Sequence, residues 1–296
     1  MKIFVTGGTG YIGSHTVVEL QKNGYDVIIA DNLVNSSLEV LDGIEKITGI
    51  RPEFEEIDLT DGEVTRDFFA RHSDIRAVIH FAALKAVGES VSKPLEYYFN
   101  NLNSLMNVLT CMREFKVPNL VFSSSCTVYG QADVLPVTEK TPRHEAESPY
   151  GNTKVMSEDI IRDLMRVEPD MKALALRYFN PIGAHPTAFI GELPNGVPNN
   201  LIPYLTQTAI GIREQLSVFG DDYNTPDGSP LRDYIDVVDL AQAHVVAIRR
   251  LLDGKNKKNY EFFNIGTGKA LSVLEIIHAF ERATGVKVNY KVVGRR

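Results

Sequence analysis

The chain reads as an α/β protein built on a doubly wound parallel sheet, followed by a smaller mixed α/β substrate-binding region. Three observations predict this. Short apolar, β-branched runs alternate with amphipathic segments through the first 180 residues, the pattern of repeated strand–helix–strand units. The first run passes directly into a glycine cluster, Gly7-Gly8-Thr9-Gly10-Tyr11-Ile12-Gly13, that opens a helical pattern. Beyond Asn180 the texture changes to a Gly/Pro/Asn-rich stretch, 181–200, and then to shorter elements punctuated by turn clusters such as 221–228.

The elements follow in order. Residues 2–6 form the first strand, and the glycine cluster then leads into a helix over 13–23. The second strand, 26–31, ends on Asp31, and the third, 52–57, is followed by Asp58. Strands over 77–81 and 120–123 flank a helix at 102–115. Ser123-Ser124-Ser125 closes the latter strand at its carboxyl end, where ligands bind in such sheets. A helix over 148–166 has Ser148 as its cap and Pro149 in its first turn, and a strand at 173–178 completes six units. This is a Rossmann-type plan. We expect residues 1–180 to bind a dinucleotide, with 236–270 returning to that unit, and 181–296 to bind substrate.

Composition narrows the function. With 296 residues, 44% hydrophobic and 23% charged, the chain can bury a sizeable core. No apolar run approaches the roughly 20 residues of a membrane span. The first residues read as a strand and not as a signal peptide, so a cytoplasmic location is expected, with no membrane partner. Two cysteines without motif spacing, Cys111 and Cys126, predict neither a disulfide scaffold nor a metal site. A net charge of −7 without a Lys/Arg stripe argues against nucleic acid. An anionic ligand would need cations placed locally.

Two constellations carry chemistry. In the glycine cluster, tight turning lets a pyrophosphate approach the free N–H groups of the helix N-terminus. Asp31 would accept hydrogen bonds from a ribose diol and repel a 2′-phosphate, which favours NAD over NADP. Asp58 is placed to reach the adenine amine, although both aspartates also suit turn caps. The second constellation is Tyr150 and Lys154, one turn apart on one helix face, with the serines of 123–125 nearby. A neighbouring ammonium and a cationic nicotinamide would both lower the tyrosine pKa from about 10, making it a base.

Taken together these residues resemble the extended short-chain dehydrogenase/reductase family, and within it the UDP-hexose 4-epimerases. The likeness is carried by 6–14, 31–36, 80–90, 123–130, 148–154, 177–181 and 231–234, and so covers essentially the whole chain. It implies Tyr150 as base, Ser125 as its helper, and Lys154 tuning Tyr150 while holding the nicotinamide ribose. It implies NAD contacts from Gly7, Gly10, Tyr11, Ile12, Gly13, Asp31, Asn32, Asn35, Ser36, Asp58, Leu59, Phe81, Ala82, Ala83, Lys85, Asn100, Ser123 and Phe179. A UDP-hexose would meet Lys85, Ser125, Tyr150, Asn180, Asn200, Leu201, Ser217, Val218, Phe219, Arg232, Tyr234 and Arg296, the two arginines serving its diphosphate. The implied reaction oxidises C4, lets the 4-keto sugar turn over, and reduces it on the opposite face. A homodimer through the 102–115 and 148–166 helices is also implied.

Rival readings stay beside these. A 4,6-dehydratase of the same family would carry Asp-Glu where this chain has Cys126-Thr127, and a non-catalytic NAD-binding sensor would have no use for Tyr150 and Lys154. Asn200 also suits a cap for a helix starting at Leu201, and Arg232 a surface ion pair with Asp233. His80 reads as a packed residue, and Cys126 has no role. The family usually continues past 296 with an acidic residue and a closing helix, so a shortened substrate region and weakened substrate binding are expected.

Overall fold

The computed structural model describes residues 1–295. In chain order its elements are β1 (Lys2–Thr6), α1 (Tyr11–Lys22), β2 (Asp26–Asp31), α2 (Glu39–Thr48), β3 (Glu53–Glu56), α3 (Gly62–Arg71) and β4 (Ile75–His80). There follow α4 (Val87–Ser92), α5 (Pro94–Glu114), β5 (Asn119–Ser125), a 3-10 turn (Cys126–Tyr129), α6 (Pro149–Val167) and β6 (Lys172–Tyr178). The remainder comprises β7 (Asn180–Ile182), α7 (Leu201–Ala209), β8 (Leu216–Phe219), β9 (Leu231–Asp236), α8 (Val237–Leu252), β10 (Tyr260–Ile265), β11 (Ala270–Ser272), α9 (Val273–Thr284) and β12 (Tyr290–Val293).

The main sheet has seven parallel strands in the order β10-β6-β5-β4-β1-β2-β3. Its inner strands are apolar on both faces because helices cover both, while the edge strand β3, Glu53-Phe54-Glu55-Glu56, is largely charged. Alternation sorts them: Ile3, Val5 and Ile29 face a core closed by α1, α2 and α8, while Phe4, Ile28 and Val78 face one closed by α3, α5 and α6. Strand order reverses between β1 and β4, which opens a crevice at the carboxyl ends of the strands. The seventh strand, β10, is a late arrival in sequence that pairs with β6. A third, smaller core gathers Leu205, Leu216, Val218, Tyr234, Ile276, Ile277 and Val288 around two short sheets, β11-β9-β7 and β12-β8.

Two boundaries differ from the sequence reading in instructive ways. Helix α5 begins at Pro94, well before residue 102, because proline at the first helical position lacks only an N–H that would be orphaned anyway. Strand β5 runs through Ser125, since the ladder to β6 pairs Ser123, Ser124 and Ser125 with Leu176, Arg177 and Tyr178. Tertiary pairing there overrides serine's poor strand preference.

Candidate active site

The site starts from the turn after β1. Gly7 has φ +67°, and a Cβ on it would lie 2.8 Å from the Ala82 backbone nitrogen. A Cβ on Gly13 would lie 2.3 Å from the Gly7 carbonyl oxygen, so strand, turn and helix close together only around glycine. Helix α1 has no acidic residue in its first turn and no side-chain cap. Its first backbone bond to the loop is Ser14 N–H to the Gly10 carbonyl, 2.9 Å. The N–H groups of Tyr11, Ile12 and Gly13 therefore face the crevice as an anion-binding edge.

Asp31 ends β2 beside this turn. Its Oδ1 accepts from Leu33 N–H (3.0 Å) and the Ser36 hydroxyl (3.3 Å), and its Oδ2 from Thr9 N–H (3.3 Å). The carboxylate thus shapes the loop and keeps lone pairs for a diol. Asp58 caps a turn, with Oδ1 accepting from the Thr60 N–H and hydroxyl at 2.9 and 2.8 Å. Asn32 caps Val34 N–H, Asn35 is exposed, and the Leu59 side chain is core. At the end of β4, Phe81 and Ala82 N–H donate to the Thr6 hydroxyl, and the Phe81 ring packs 4.7 Å from His244. Ala83 follows, half-buried. Lys85 is exposed, with Nζ 3.7 Å from Glu192 and over the Tyr11 ring, while the Tyr11 hydroxyl donates to the Gly183 carbonyl. Asn100 donates to Asn101. His80 is packed, its Nδ1 2.9 Å from the Thr6 hydroxyl, and burial pushes its pKa down to about 3.

Helix α6 starts where the sequence indicates: the Ser148 hydroxyl accepts from Gly151 N–H at 3.1 Å and Pro149 occupies the first turn. Tyr150 and Lys154 are both buried, facing the carboxyl end of β5. Lys154 Nζ donates to the Ser123 carbonyl (2.8 Å) and sits 4.9 Å over the Phe122 ring and 5.8 Å over the Tyr150 ring. The Ser123 hydroxyl is committed to Tyr178 at 2.7 Å, leaving Ser125, whose hydroxyl also accepts from Thr127 N–H, as the serine facing Tyr150.

In the protein without cofactor, burial works against ionisation. Tyr150 does not sit below its ordinary pKa: desolvation pushes it well up, Tyr178 and Cys126 add to the rise, and only Ser125 opposes it. Lys154 gives no relief because its ammonium is turned to the Ser123 carbonyl, and its own pKa is lowered to about 8 by desolvation, against an upward pull from Glu158. Burial penalises both charged forms. Burial likewise pushes the Cys126 thiol up to about 11, which leaves it protonated and unreactive.

The residues after Asn180 form the facing wall. Asn180 Nδ2 donates to the Asp233 carbonyl at 3.0 Å, and Phe179 lies against Gly266, where a Cβ would come within 2.7 Å of the ring. Asn200 stands at the cap position of α7 beside half-buried Leu201, but its side chain makes no cap bond and donates instead to Glu192 at 2.6 Å. Arg232 pairs with no carboxylate among the described residues; it donates to the Leu231 carbonyl, and Asp233 instead takes Thr267 and Gly268. On β8, Ser217 is half-buried and Phe219 exposed, while Val218, like Tyr234 on β9, is a core side chain, so a ligand meets Val218 only through its backbone. Arg296 lies outside the described residues.

A model of the NAD dependent epimerase/dehydratase family matches residues 3–266. The chain belongs to that family. It is 52% identical over its whole length to a UDP-glucose 4-epimerase of Bacillus subtilis, covering 86% of that protein, and 51% identical to one from Mus musculus, again covering 86%. Among solved structures it resembles a UDP-glucose 4-epimerase from Bifidobacterium longum in complex with NAD+ and UDP, with TM-score 0.94, 46% identity, and coverage of 100% of this chain and 87% of that one. A Stenotrophomonas maltophila UDP-glucose-4-epimerase with bound NAD and formylated UDP-arabinopyranose gives TM-score 0.95 and 48% identity at the same coverages.

This epimerase/dehydratase site includes residues that motif spacing did not reveal. Asn101 accepts from Leu84 N–H (2.8 Å), donates to the Leu84 carbonyl (3.0 Å), and donates to Thr153 on α6 (3.1 Å). It ties the loop after β4 to the Tyr150 helix. Tyr178 touches Ser123 and raises the Tyr150 pKa, its own hydroxyl being pushed to about 12 by burial. Glu158 and Arg177 form a buried ion pair beneath the serines. The only signal for Glu158 was its place one turn beyond Lys154.

Proposed function

We infer that this chain interconverts UDP-glucose and UDP-galactose by oxidation and re-reduction at C4, with NAD as resident cofactor. The observation that carries the reading is the burial of Tyr150, Lys154 and Ser125 together at the carboxyl end of β5, in a family member about half identical to UDP-glucose 4-epimerases. The crevice fits NAD: a glycine cradle that a Cβ would fill, a helix N-terminus without an opposing carboxylate, and Asp31 at the ribose position. Bound there, NAD supplies the redox capacity for C4 and, through its cationic ring, the positive charge that Tyr150 needs to ionise.

The protein's own tasks are proton transfer and anchorage. Tyr150, with Ser125 beside it, takes the proton of the 4-hydroxyl and returns it once the keto sugar has turned over. Lys154 holds the nicotinamide ribose. Arg232, which donates to the Leu231 carbonyl and pairs with no carboxylate among the described residues, serves the diphosphate. Binding concentrated on UDP leaves the hexose loose enough to rotate. Residues 1–180, with 236–270, form the NAD unit, and the rest of 181–296 the UDP-sugar unit. Cys126-Thr127 in place of carboxylates disfavours dehydration. A homodimer is supported by the exposed apolar stripe of α5, Leu95, Phe99 and Met106, beside Met156 of α6. No helix among the described residues is long and apolar enough to cross a membrane, and both cysteines are free, which fits a reducing cytoplasm.

The test is incubation with UDP-galactose. We expect UDP-glucose to form, and Tyr150→Phe to slow it by about a hundredfold or more. A 4-keto-6-deoxy product would indicate dehydration, and no turnover a binding protein. An undiminished rate in Tyr150→Phe would remove the proposed base.

A further inference from the structure

Lys154 and Glu158 lie one turn apart on the buried face of α6 and grip consecutive residues of β5. Lys154 Nζ donates to the Ser123 carbonyl at 2.8 Å, and Glu158 Oε1 accepts from the Ser124 hydroxyl at 2.6 Å. Across the next ladder, Ser124 is in register with Arg177 of β6, whose Nε and Nη2 reach the two Glu158 oxygens at 2.9 and 2.5 Å. Arg177 Nη1 donates to the Tyr129 hydroxyl (2.9 Å), which donates to Asn264 of β10 (2.7 Å), and the guanidinium stacks 3.9 Å over the Phe262 ring. Side-chain exposures of 4% and 2% make Arg177 and Glu158 a buried charge pair, with the less buried Arg143 approaching Glu158 Oε2 at 3.7 Å.

Such a pair is a poor way to gain stability, because an apolar pair of similar volume usually serves as well or better. Its geometry suits another purpose. Ser125, the serine facing Tyr150, is the residue after Ser124, so whatever holds Ser124 to α6 sets the Tyr150–Ser125 approach.

We propose that Glu158 and Arg177 are positioning residues that clamp α6 to β5 and β6 and thereby set the alignment of Tyr150 and Lys154 with Ser125 and Ser123. The proposal rests on the reading of Tyr150 and Lys154 as the reacting pair. Glu158 has a second effect in the same direction: its charge opposes the desolvation that lowers the Lys154 pKa. Misalignment of reacting groups by about 1 Å costs up to about a hundredfold in rate, and binding of UDP, made elsewhere, is left intact.

The experiment compares purified, NAD-loaded wild type with the double variant Glu158→Leu/Arg177→Met, the single variant Glu158→Gln and the control Lys154→Met, measuring kcat and KM for UDP-galactose and the melting temperature. We expect the double variant to melt at or above the wild-type temperature, with kcat down about tenfold or more and KM within about threefold. A double variant that is folded and turns over like wild type overturns the clamp, as does one whose kcat, KM and melting temperature all worsen together. If the double variant fails to fold, the same split in Glu158→Gln decides. Wild-type activity in Lys154→Met would refute the functional reading itself; an inactive Lys154→Met beside a normal double variant refutes only the clamp.

Discussion

Replacing Lys154 by methionine should make the ligand-free protein more stable at neutral pH while abolishing turnover. The magnitude follows from the burial of the ammonium. Its pKa falls from the ordinary lysine value of 10.5 to about 8 in the folded protein, mainly by desolvation. At about 1.4 kcal/mol per unit, carrying the charge into the fold costs about 3 kcal/mol below pH 8. The sign is opposite to that of an ion-paired lysine. Below the folded pKa both states bind the proton and the full cost stands. As pH rises from 8 towards 10.5 the unfolded chain keeps a proton that the folded chain has lost, so wild type gains stability. Methionine carries no such term. In paired urea titrations the advantage of Lys154→Met should therefore shrink by about 2 kcal/mol between about pH 7 and about pH 9.5. A difference independent of pH, or one that grows with pH, would refute the assignment of a desolvated ammonium to Lys154.

Two other substitutions probe the nucleotide crevice. Gly7→Ala meets both a positive φ and a backbone contact at 2.8 Å, so it should lower the melting temperature and weaken NAD binding more than about tenfold, as read by calorimetry and fluorescence titration. Asp31→Asn keeps one acceptor oxygen for Leu33 N–H and the Ser36 hydroxyl but removes the charge and the oxygen that accepts from Thr9 N–H; the preference for NAD over NADP should fall about tenfold or more, measured as the ratio of the two dissociation constants.

Strands β1, β2, β4, β5 and β6 could be read from the sequence because each is a short apolar run that needs only its own residues to declare itself, and the turn after β1 because glycine is demanded by contacts a few residues away. Tyr150, Lys154 and Ser148 share one helix, so spacing alone placed them on one face. What escaped is what depends on closure over long sequence distances. Asn101 meets Leu84 and Thr153 only once α5 has packed on α6. The pair of Tyr129 with Asn264 depends on β10 joining the sheet beside β6. The rival reading of Asn200 as a helix cap fails for the same reason: its Nδ2 donates to Glu192, and its side-chain oxygen makes no bond to the helix N–H groups. Arg232 stands beside Asp233 in the chain, yet β9 sends their side chains to opposite faces, and Asp233 goes to Thr267 and Gly268. The rise in the Tyr150 pKa without cofactor was not legible, because spacing reports which groups are near and burial decides what nearness is worth.

The opposed shifts of Tyr150 and Lys154 have one cause and one consequence. Desolvation pushes the phenol up and the ammonium down, so in the protein alone the neutral pair gains on the ion pair. A cation placed beside Tyr150 draws the phenol down, and by the same field it pushes Lys154 further down. A site that depended on Lys154 staying charged would lose it at the moment of ionising Tyr150 unless a fixed negative charge lay on the far side of the lysine. Glu158 lies there, buried and held by Arg177, too far along the helix to repel the phenolate as strongly as it attracts the ammonium. The ion pair beneath the serines and the buried tyrosine above them are therefore parts of one electrostatic arrangement, in which removal of the lower charge should be felt at the upper one.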